Sequence, residues 1–351
     1  MSADSTKYAE KIVRRAAALG FERCGIIRVS AMKGYGEALA ARMARFPETA
    51  PMLRNFIPFA DPTEKCPWVK SIVICSRRCG VYRVPDNLGG MIGKHYLFDE
   101  RRDAGSDGYR DTALFEKYMT DELHLQTASG NDYGITACRW AAKEAGIGVI
   151  RGNNFFYGDH GSYYSLYAFL IGEELEYIHS PLNNTPCPDN CNLCVKNCPT
   201  RSLAEPYAMS AFKCASFLTN KAGEDSGFKE HGAEIGGWIY GCDVCQDVCP
   251  FNKGELTGER EFNGLAELSA EISLEKLVAM DYASLRNLLS AKFWYIPPDE
   301  MWKWKRNALN AIANNWEERY ADTIMLALRD EDERVREAAA GAGAAIGRTF
   351  L

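Results

Sequence analysis

The residues in this sequence that are best suited to chemistry are cysteines, and most of them lie in two short motifs. The first reads CPDNCNLCVKNCP over residues 187–199, and the second reads CDVCQDVCP over residues 242–250. Cys214 is the only cysteine between the motifs. Bacterial ferredoxins use the spacing C-x2-C-x2-C-x3-C-P, in which the fourth cysteine binds the other of two clusters. The first motif departs from that spacing by one extra residue, so the pattern indicates an iron–sulfur protein.

The two motifs and Cys214 together supply eight thiolates, the number that two 4Fe–4S clusters require. Zinc is the alternative metal, but zinc modules usually consist of two C-x2-C pairs separated by a spacer. The ferredoxin pattern therefore predicts two ligand sets, in which the last cysteine of each motif serves the other motif's cluster. The first predicted set is Cys187, Cys191, Cys194 and Cys249, and the second is Cys198, Cys214, Cys242 and Cys245.

The composition is that of a globular protein with more than one domain. The chain has 351 residues, of which 46% are hydrophobic and 25% are charged. The formal net charge is −6, so any nucleic-acid site must be a local patch. No apolar run approaches the roughly 18 residues of a membrane helix, and residues 1–20 lack the apolar core of a signal peptide. These features predict a cytoplasmic protein with no membrane partner, whose thiols stay reduced.

Residues 1–180 alternate between helix and strand patterns and predict an α/β domain that houses the electron acceptor. The β-branched runs 23–30 and 71–76 are typical of strands. Residues 136–150 indicate a helix, a glycine turn and a strand. The polar, glycine-punctuated segment 95–111 is expected to form a surface loop or lid.

The rest of the chain predicts two further regions. Residues 181–256 show little periodicity, which favours a ferredoxin-like double-cluster domain with an inorganic core. Residues 257–351 predict a short C-terminal α-helical region, because apolar residues recur at i, i+3 and i+4. Within it, residues 321–347 have the pattern of one HEAT-like unit. A single unit is too short for a solenoid, so we expect these helices to pack on the remainder of the protein.

Several segments resemble the epoxyqueuosine reductase family, the cobalamin-dependent iron–sulfur enzymes of queuosine synthesis in tRNA. They are NDYGITACRWAAKEAGIG (131–148), GSYYSLYAFLIGEEL (161–175), the two cysteine motifs with KCASFLTN between them, and KWKRNALNAIAN (303–314). The resemblance implies a base-off cobalamin in the α/β domain, facing one cluster and reduced through both by a low-potential donor of ferredoxin or flavodoxin type. The cobalamin contacts that it implies are Asp132, Gly146, Gly148, Asn153, Ser162 and Ser216.

The resemblance also implies a catalytic acid. In the family, reduced cobalamin attacks an epoxide carbon and an aspartate donates the proton. Asp132 occupies the matching position, thirteen residues before Ala145. The alternative interpretation is that Asp132 caps a helix that begins near Ile135 or Thr136.

The chain departs from the family at several positions. Tyr167 stands where the family has a small residue, Phe251 replaces a tryptophan, Gly152 displaces a lysine, and the segment 95–111 is longer than the family norm. These departures leave open a corrinoid-dependent reductase that acts on another substrate, such as an organohalide or a small epoxide, since reductive dehalogenases share cobalamin and two clusters. A non-catalytic two-cluster electron carrier is a further alternative.

One local feature predicts tRNA as a partner. Residues 292–306, KFWYIPPDEMWKWKR, interleave aromatic side chains with the cations Lys292, Lys303, Lys305 and Arg306. Aromatic rings that stack on bases beside phosphate-binding cations are a common means of binding unpaired RNA. The alternative is a helix whose tryptophans lie in the core and whose lysines lie in solvent.

Overall fold

A computed structural model of the chain describes residues 3–130, 134–180, 186–223 and 227–350. The strands are β1 Arg23–Arg28, β2 Ser71–Arg78, β3 Thr127–Ser129, β4 Val149–Ile150, β5 Phe156–Tyr157, β6 Tyr164–Ile171, β7 Leu203–Glu205 and β8 Ala208–Met209. The helices are α1 Ala3–Ala18, α2 Lys33–Arg45, α3 Ala50–Leu53, α4 Lys94–Leu97, α5 Asp107–Lys117, α6 Cys138–Glu144, α7 Leu193–Asn197, α8 Ala215–Asn220, α9 Gly232–Ile235, α10 Val244–Asp247, α11 Leu265–Ala270, α12 Leu274–Ala279, α13 Tyr282–Leu289, α14 Trp302–Asn314, α15 Ala321–Ala327 and α16 Glu333–Ala345.

The N-terminal part of the fold is built on an antiparallel sheet with the strand order β1-β2-β6-β3. Successive residues of a strand point to opposite faces, and both faces of this sheet are buried. On one face Val73 and Phe169 pack against α1 and α5. On the other face Ile72, Ile74 and Leu170 pack against α6. The result is a three-layer α/β arrangement, which confirms the mixed α/β character that the sequence predicts.

Several local predictions are confirmed. β1 and β2 occupy the two β-branched runs, and α6, a glycine turn and β4 follow one another within residues 136–150. Gly20 ends the first helix with a φ of 79°, and Gly146 makes the later turn with a φ of 72°. Both values lie in the left-handed region that glycine enters without steric cost.

The expectation of a surface loop or lid at residues 95–111 is correct only for an irregular turn with exposed residues at positions 102, 104 and 105. Phe98, Asp99 and Glu100 are buried, and α5 begins within the segment at Asp107. The two acidic side chains are tolerated inside because each has a cationic partner. Asp99 forms a bidentate pair with Arg101, with a shortest distance of 2.7 Å. The polarity of Asp99 and Glu100 reflects internal ion pairs rather than exposure.

The predicted C-terminal helices are confirmed, and they pack around α14. Trp304 on this helix is fully buried and stacks on Tyr240, with ring centroids 5.0 Å apart and an interplanar angle of 6°. The same hydrophobic cluster includes Leu97 and Phe98, so it also holds the segment after β2. Among the described residues, no helix combines the length and apolar character that crossing a membrane requires.

Candidate metal centres and the adjoining cleft

Four of the predicted ligands form a partly buried group that joins both motifs to Cys214. Burial raises the pKa of the Cys245 thiol, and the neighbouring thiols of Cys214, Cys242 and Cys198 raise it further. Cys242 has Cys214 and Cys198 as neighbours in the same way. The fold therefore brings together the four cysteines of the second predicted set.

The first predicted set gathers around α7 and the loop that follows β4. α7 carries Cys194, whose thiol pKa is raised by burial and then by the other thiols of the first motif. The backbone N–H of Gly152 donates to Cys187 Sγ at 3.2 Å. A few residues later, the Tyr157 hydroxyl lies near Cys249, whose thiol adds to the burial that raises the pKa of this hydroxyl. Because one short segment lies near both Cys187 and Cys249, the last cysteine of the second motif faces the first set.

The proline after each motif explains the direction of its last cysteine. Proline disfavours the helical conformation for the residue before it. Cys198 and Cys249 are accordingly extended, with φ/ψ of −62°/112° and −77°/122°. α7 and α10 pack against each other, so a cysteine that leaves one helix can approach the other motif. The thiols of each set are spread out: among the described residues, no three histidine, cysteine or acidic side chains lie close enough together to hold a single metal ion.

A buried hydrogen-bond network joins the start of β6 to the second motif. The Ser162 N–H donates to Asn252 Oδ1 at 2.7 Å, and the Ser162 hydroxyl donates to Gln246 Oε1 at 2.7 Å. Asn252 Nδ2 donates back to Ser162 Oγ at 2.9 Å. The polar atoms of Ser162 are therefore engaged by protein, and its contact with cobalamin stays a prediction. Sequence analysis missed Gln246 and Asn252, because partners so distant along the chain leave no local pattern.

Two other predicted cobalamin contacts also lie against the cysteine segments. Asn153 Nδ2 donates to the Tyr157 hydroxyl at 2.8 Å and to the Cys245 carbonyl oxygen at 2.9 Å. The Ser216 hydroxyl lies 2.7 Å from the Tyr96 hydroxyl. Asn153 therefore bridges the loop after β4 to the second motif, and Ser216 links the residues after Cys214 to α4.

The two predicted glycine contacts are packed tightly by protein. A Cβ on Gly146 would overlap the His179 ring, and a Cβ on Gly148 would overlap the Phe156 ring. Close packing thus accounts for the small size of both residues. Their contact with cobalamin also stays a prediction.

Asp132 lies outside the described residues, but the helix next along the chain has a defined start. α6 begins at Cys138, and its N-cap residue is Ala137. The cap position therefore falls five residues after Asp132. The helix thus starts later than the predicted start near Ile135 or Thr136, and the role of Asp132 stays a prediction.

The start of α6 and the segment from His95 to Arg101 lie near each other, and we call the region between them the cleft. Burial raises the pKa of the Cys138 thiol to about 11, while the nearby charges of Arg101 and Arg139 lower it. The same two arginines act on His95: burial lowers the pKa of its imidazole to about 4, Asp99 opposes this, and the arginines add to it. His95 is therefore neutral near pH 7.

Arg42 on α2 reaches from this cleft toward the cysteines. Its Nη2 donates to the carbonyl oxygen of Met209 at 3.3 Å, whereas its buried Nε has no hydrogen-bond partner among the described residues. Burial lowers the pKa of Arg42, Arg139 lowers it further, and Cys214 is among the groups that raise it. Arg42 thus lies between α6 and the second thiol set and offers a donor to an acceptor group in the cleft. No motif in the sequence pointed to it.

The predicted RNA-binding patch at residues 292–306 is wrong as an exposed surface. Lys303, Lys305 and Arg306 are at most 6% exposed. Lys305 Nζ lies 2.8 Å from Asp330 Oδ2, and Arg306 donates to two backbone carbonyl oxygens. The alternative is correct for the tryptophans, since Trp302 and Trp304 are buried, but wrong for the lysines, which help to hold α14 against the rest of the fold.

Comparison with known proteins agrees with the thiol arrangement and the fold. The family of 4Fe-4S double cluster binding domains matches residues 187–252. A curated relative, the epoxyqueuosine reductase of Prochlorococcus marinus, is 30% identical over 169 residues, which are 47% of this chain and 52% of that protein. The chain thus spans about half the length of this relative.

Solved structures of epoxyqueuosine reductase share the fold over nearly the whole chain. One, with a tRNA-Tyr epoxyqueuosine-modified tRNA stem loop, has a TM-score of 0.77 at 24% identity and covers 97% of this chain and 90% of that one. Another, from Bacillus subtilis, has its catalytic aspartate loop swung out of the active site; its TM-score is 0.75, with the same identity and coverage. The cysteine segment thus matches the 4Fe-4S double cluster binding domain family, and in sequence and fold the chain is similar to epoxyqueuosine reductases.

Proposed function

We propose that this protein reduces epoxyqueuosine to queuosine in tRNA, using two 4Fe–4S clusters and cobalamin. The matched double-cluster domain and the names of the relatives support the reaction class. The observation that carries the proposal is the position of Cys214, whose thiol belongs to the second set and also neighbours Arg42 at the cleft. A cluster held there would pass electrons directly to a group bound in the cleft.

The proposal assigns a task to each part of the chain. Residues 1–180 form the cobalamin and substrate domain, residues 181–256 the ferredoxin-like domain, and residues 257–351 a HEAT-like helical support. Because its substrate is a tRNA, the protein would work in the cytoplasm.

The two predicted ligand sets hold the clusters in this proposal. The residues around them suit that task, because thiolates need nearby donors and a protected environment. The Gly152 N–H at 3.2 Å from Cys187 Sγ is such a donor. Ser162, Gln246 and Asn252 keep the second motif fixed against β6, which maintains the distance between the thiols and the cleft.

Arg42 is the residue we assign to holding cobalamin. Its buried Nε, without a partner in the described part of the chain, suits an amide oxygen or the phosphate of the corrinoid. When bound and reduced, cobalamin supplies a strong metal-centred nucleophile that opens an epoxide. The neutral His95 keeps the cleft from gaining a further positive charge.

Asp132 is the proposed proton donor. Opening an epoxide leaves an alkoxide oxygen, which a positioned acid must protonate. The catalytic aspartate loop of the Bacillus subtilis enzyme supports this role. Desolvation beside an apolar cofactor would favour the protonated carboxyl, so the proton would be available near neutral pH.

A second candidate is a corrinoid-dependent reductase of a small epoxide or organohalide. The burial of Lys303, Lys305 and Arg306 favours it, because these cations cannot bind RNA phosphates. Tyr167, which stands where the family has a small residue, also favours a substrate other than epoxyqueuosine in tRNA.

One experiment separates these functions. The protein is reconstituted anaerobically with iron, sulfide and cobalamin, reduced, and incubated with tRNA from a strain that accumulates epoxyqueuosine. Nucleoside analysis should show conversion to queuosine. Corrinoid absorption retained without conversion would favour the small-substrate reductase, and the absence of any corrinoid binding would favour the electron carrier.

A further inference from the structure

Two large apolar side chains are exposed directly over the first thiol set. Leu193 is 41% exposed and Tyr207 is 48% exposed, which is unusual for large apolar residues in the described part of the chain. Leu193 begins α7 and immediately precedes Cys194. The Tyr207 hydroxyl lies near Cys187: burial raises the pKa of this hydroxyl, and the neighbouring Cys187 thiol raises it further. Both exposed side chains are therefore neighbours of predicted cluster ligands.

The backbone holds Tyr207 in this position. Its φ of 66° lies in the left-handed region, which is unfavourable for any residue with a Cβ. Its N–H donates to the Gly152 carbonyl oxygen at 2.7 Å, and the Gly152 N–H donates to Cys187. Tyr207 lies in the two-residue turn of the β7–β8 hairpin, so the hairpin and this hydrogen bond fix the place of its half-exposed ring.

Positive charge surrounds this apolar pair. Lys196 lies one helical turn after Leu193 on α7, and Arg201 follows the first motif; both are exposed. Within residues 186–214 the cations Lys196, Arg201 and Lys213 outnumber the acids Asp189 and Glu205. Glu205 is also paired with Arg45 at 3.0 Å. This stretch thus carries a small excess of positive charge on a chain whose net charge is −6.

The two thiol sets have different neighbours outside the cysteine segments. The second set contains Cys214, which neighbours Arg42 and the cleft. The first set lies beneath Leu193 and Tyr207. An electron that arrives at the apolar pair would therefore cross the first cluster, then the second, and then reach the cleft.

We propose that Leu193, Tyr207, Lys196 and Arg201 form the docking surface for a small acidic, low-potential electron-carrier protein. This inference rests on the proposed function and names the surface at which electrons enter. In each encounter the carrier loses one electron and a cluster gains it. Two encounters supply the two electrons that, with two protons, remove an epoxide oxygen as water. Apolar contact beside the cluster brings the redox groups close, while the cations orient the acidic partner.

Cluster reduction can be timed without tRNA or turnover. The reconstituted protein is mixed in a stopped-flow instrument with flavodoxin reduced to its hydroquinone, and bleaching of the cluster absorbance is followed. Titanium(III) citrate, which needs no docking surface, is the parallel reductant. The variants are Lys196→Glu combined with Arg201→Glu, and Leu193→Ser. The matched controls are Lys7→Glu in α1 and Leu326→Ser in α15, both at exposed positions.

We expect the second-order rate with flavodoxin to fall about tenfold in the charge-reversed variant at low salt, because rim charges act mainly on association. Added salt should slow the wild-type reaction toward the variant's rate, since screening shortens the reach of these charges. Titanium(III) citrate should reduce every variant at the wild-type rate, and both control variants should match the wild type with flavodoxin.

Each rate is normalised to the amount of cluster that titanium(III) citrate can reduce in that protein. The proposal is overturned if the charge-reversed protein then accepts electrons from flavodoxin as fast as the wild type. If Leu193→Ser loses iron, the charge variant decides the question, because Lys196 and Arg201 are not predicted ligands. Failure of the proposed function gives a different result. In that case titanium(III) citrate reduces the clusters of the wild-type protein, but epoxyqueuosine in tRNA stays unchanged.

Discussion

The Tyr167 hydroxyl on β6 lies 3.5 Å from Glu100 Oε2, and both side chains are buried. Glu100 also accepts a hydrogen bond from the Gly108 N–H at 3.2 Å and lies 3.6 Å from Arg77. The large residue at position 167 and the long segment 95–111 both depart from the family pattern. They form one buried unit in this fold, because the strand residue is a partner of the segment's buried acid.

Removing this hydroxyl should destabilise the protein modestly. Tyr167→Phe deletes one hydrogen bond to a buried carboxylate that keeps its other partners, so we expect a loss of about 1 kcal/mol in the free energy of unfolding. Denaturant titration measures it. Tyr177→Phe, which removes a solvent-exposed Tyr–Glu hydrogen bond to Glu174, is the control and should change little. Equal effects of the two substitutions would contradict the buried unit.

The two ligand sets predict the iron content of the protein and of its variants. The reconstituted wild type should hold about eight iron atoms, and Cys194→Ser or Cys214→Ser should each leave about four. Iron analysis and reduced-state electron paramagnetic resonance provide the measurements, with Cys66→Ser as the control outside both sets. Stoichiometric zinc, or about four iron atoms in the wild type, would refute the assignment.

Asp132→Asn tests proton donation. The amide keeps the shape of the side chain but cannot deliver a proton, so turnover should fall by roughly 10²-fold or more. Iron content and corrinoid absorption should stay at wild-type levels. Asp121→Asn, at an acid whose side chain is 58% exposed, is the control. Wild-type turnover in Asp132→Asn would show that another group supplies the proton.

Lys305→Met should act on stability rather than on RNA affinity. Lys305 and Asp330 form a buried pair 2.8 Å apart, and removing one partner of such a pair costs about 3–5 kcal/mol. Lys276→Met, at an exposed pair with Glu271, should cost far less. In folded protein, the salt dependence of tRNA binding should be unchanged, since no phosphate contact is lost. A flatter salt dependence for Lys305→Met would restore the RNA surface that the structure excludes.

Lys292 gives the stability a defined pH dependence. Its burial lowers the pKa of the ammonium to about 8 from an ordinary value of 10.5. Between these values the unfolded chain binds more protons than the folded protein, so this group makes stability rise with pH by up to about 3 kcal/mol. Lys292→Met should remove that rise in unfolding titrations from pH 7.5 to 10, whereas Lys7→Met should keep it. A Lys292→Met protein with the wild-type slope would disprove the lowered pKa.

The sequence by itself determined the features that depend on neighbouring residues. The cysteine spacings and their prolines indicated two clusters before any fold was known, and the prolines alone account for the extended Cys198 and Cys249. Alternation and helical periodicity located β1, β2 and α6, because a strand or helix is encoded by residues only a few positions apart. Gly20 and Gly146 marked their turns for the same local reason.

Only the tertiary structure decided where the polar residues lie. The sequence predicted exposure for residues 95–111 and for Lys303, Lys305 and Arg306, yet the fold buries Asp99, Glu100 and all three of these cations. The network around Ser162 also joins residues far apart along the chain. The physical reason is that burying a polar group is favourable only when a partner satisfies it. Such partners come from distant segments, so composition and periodicity do not reveal them.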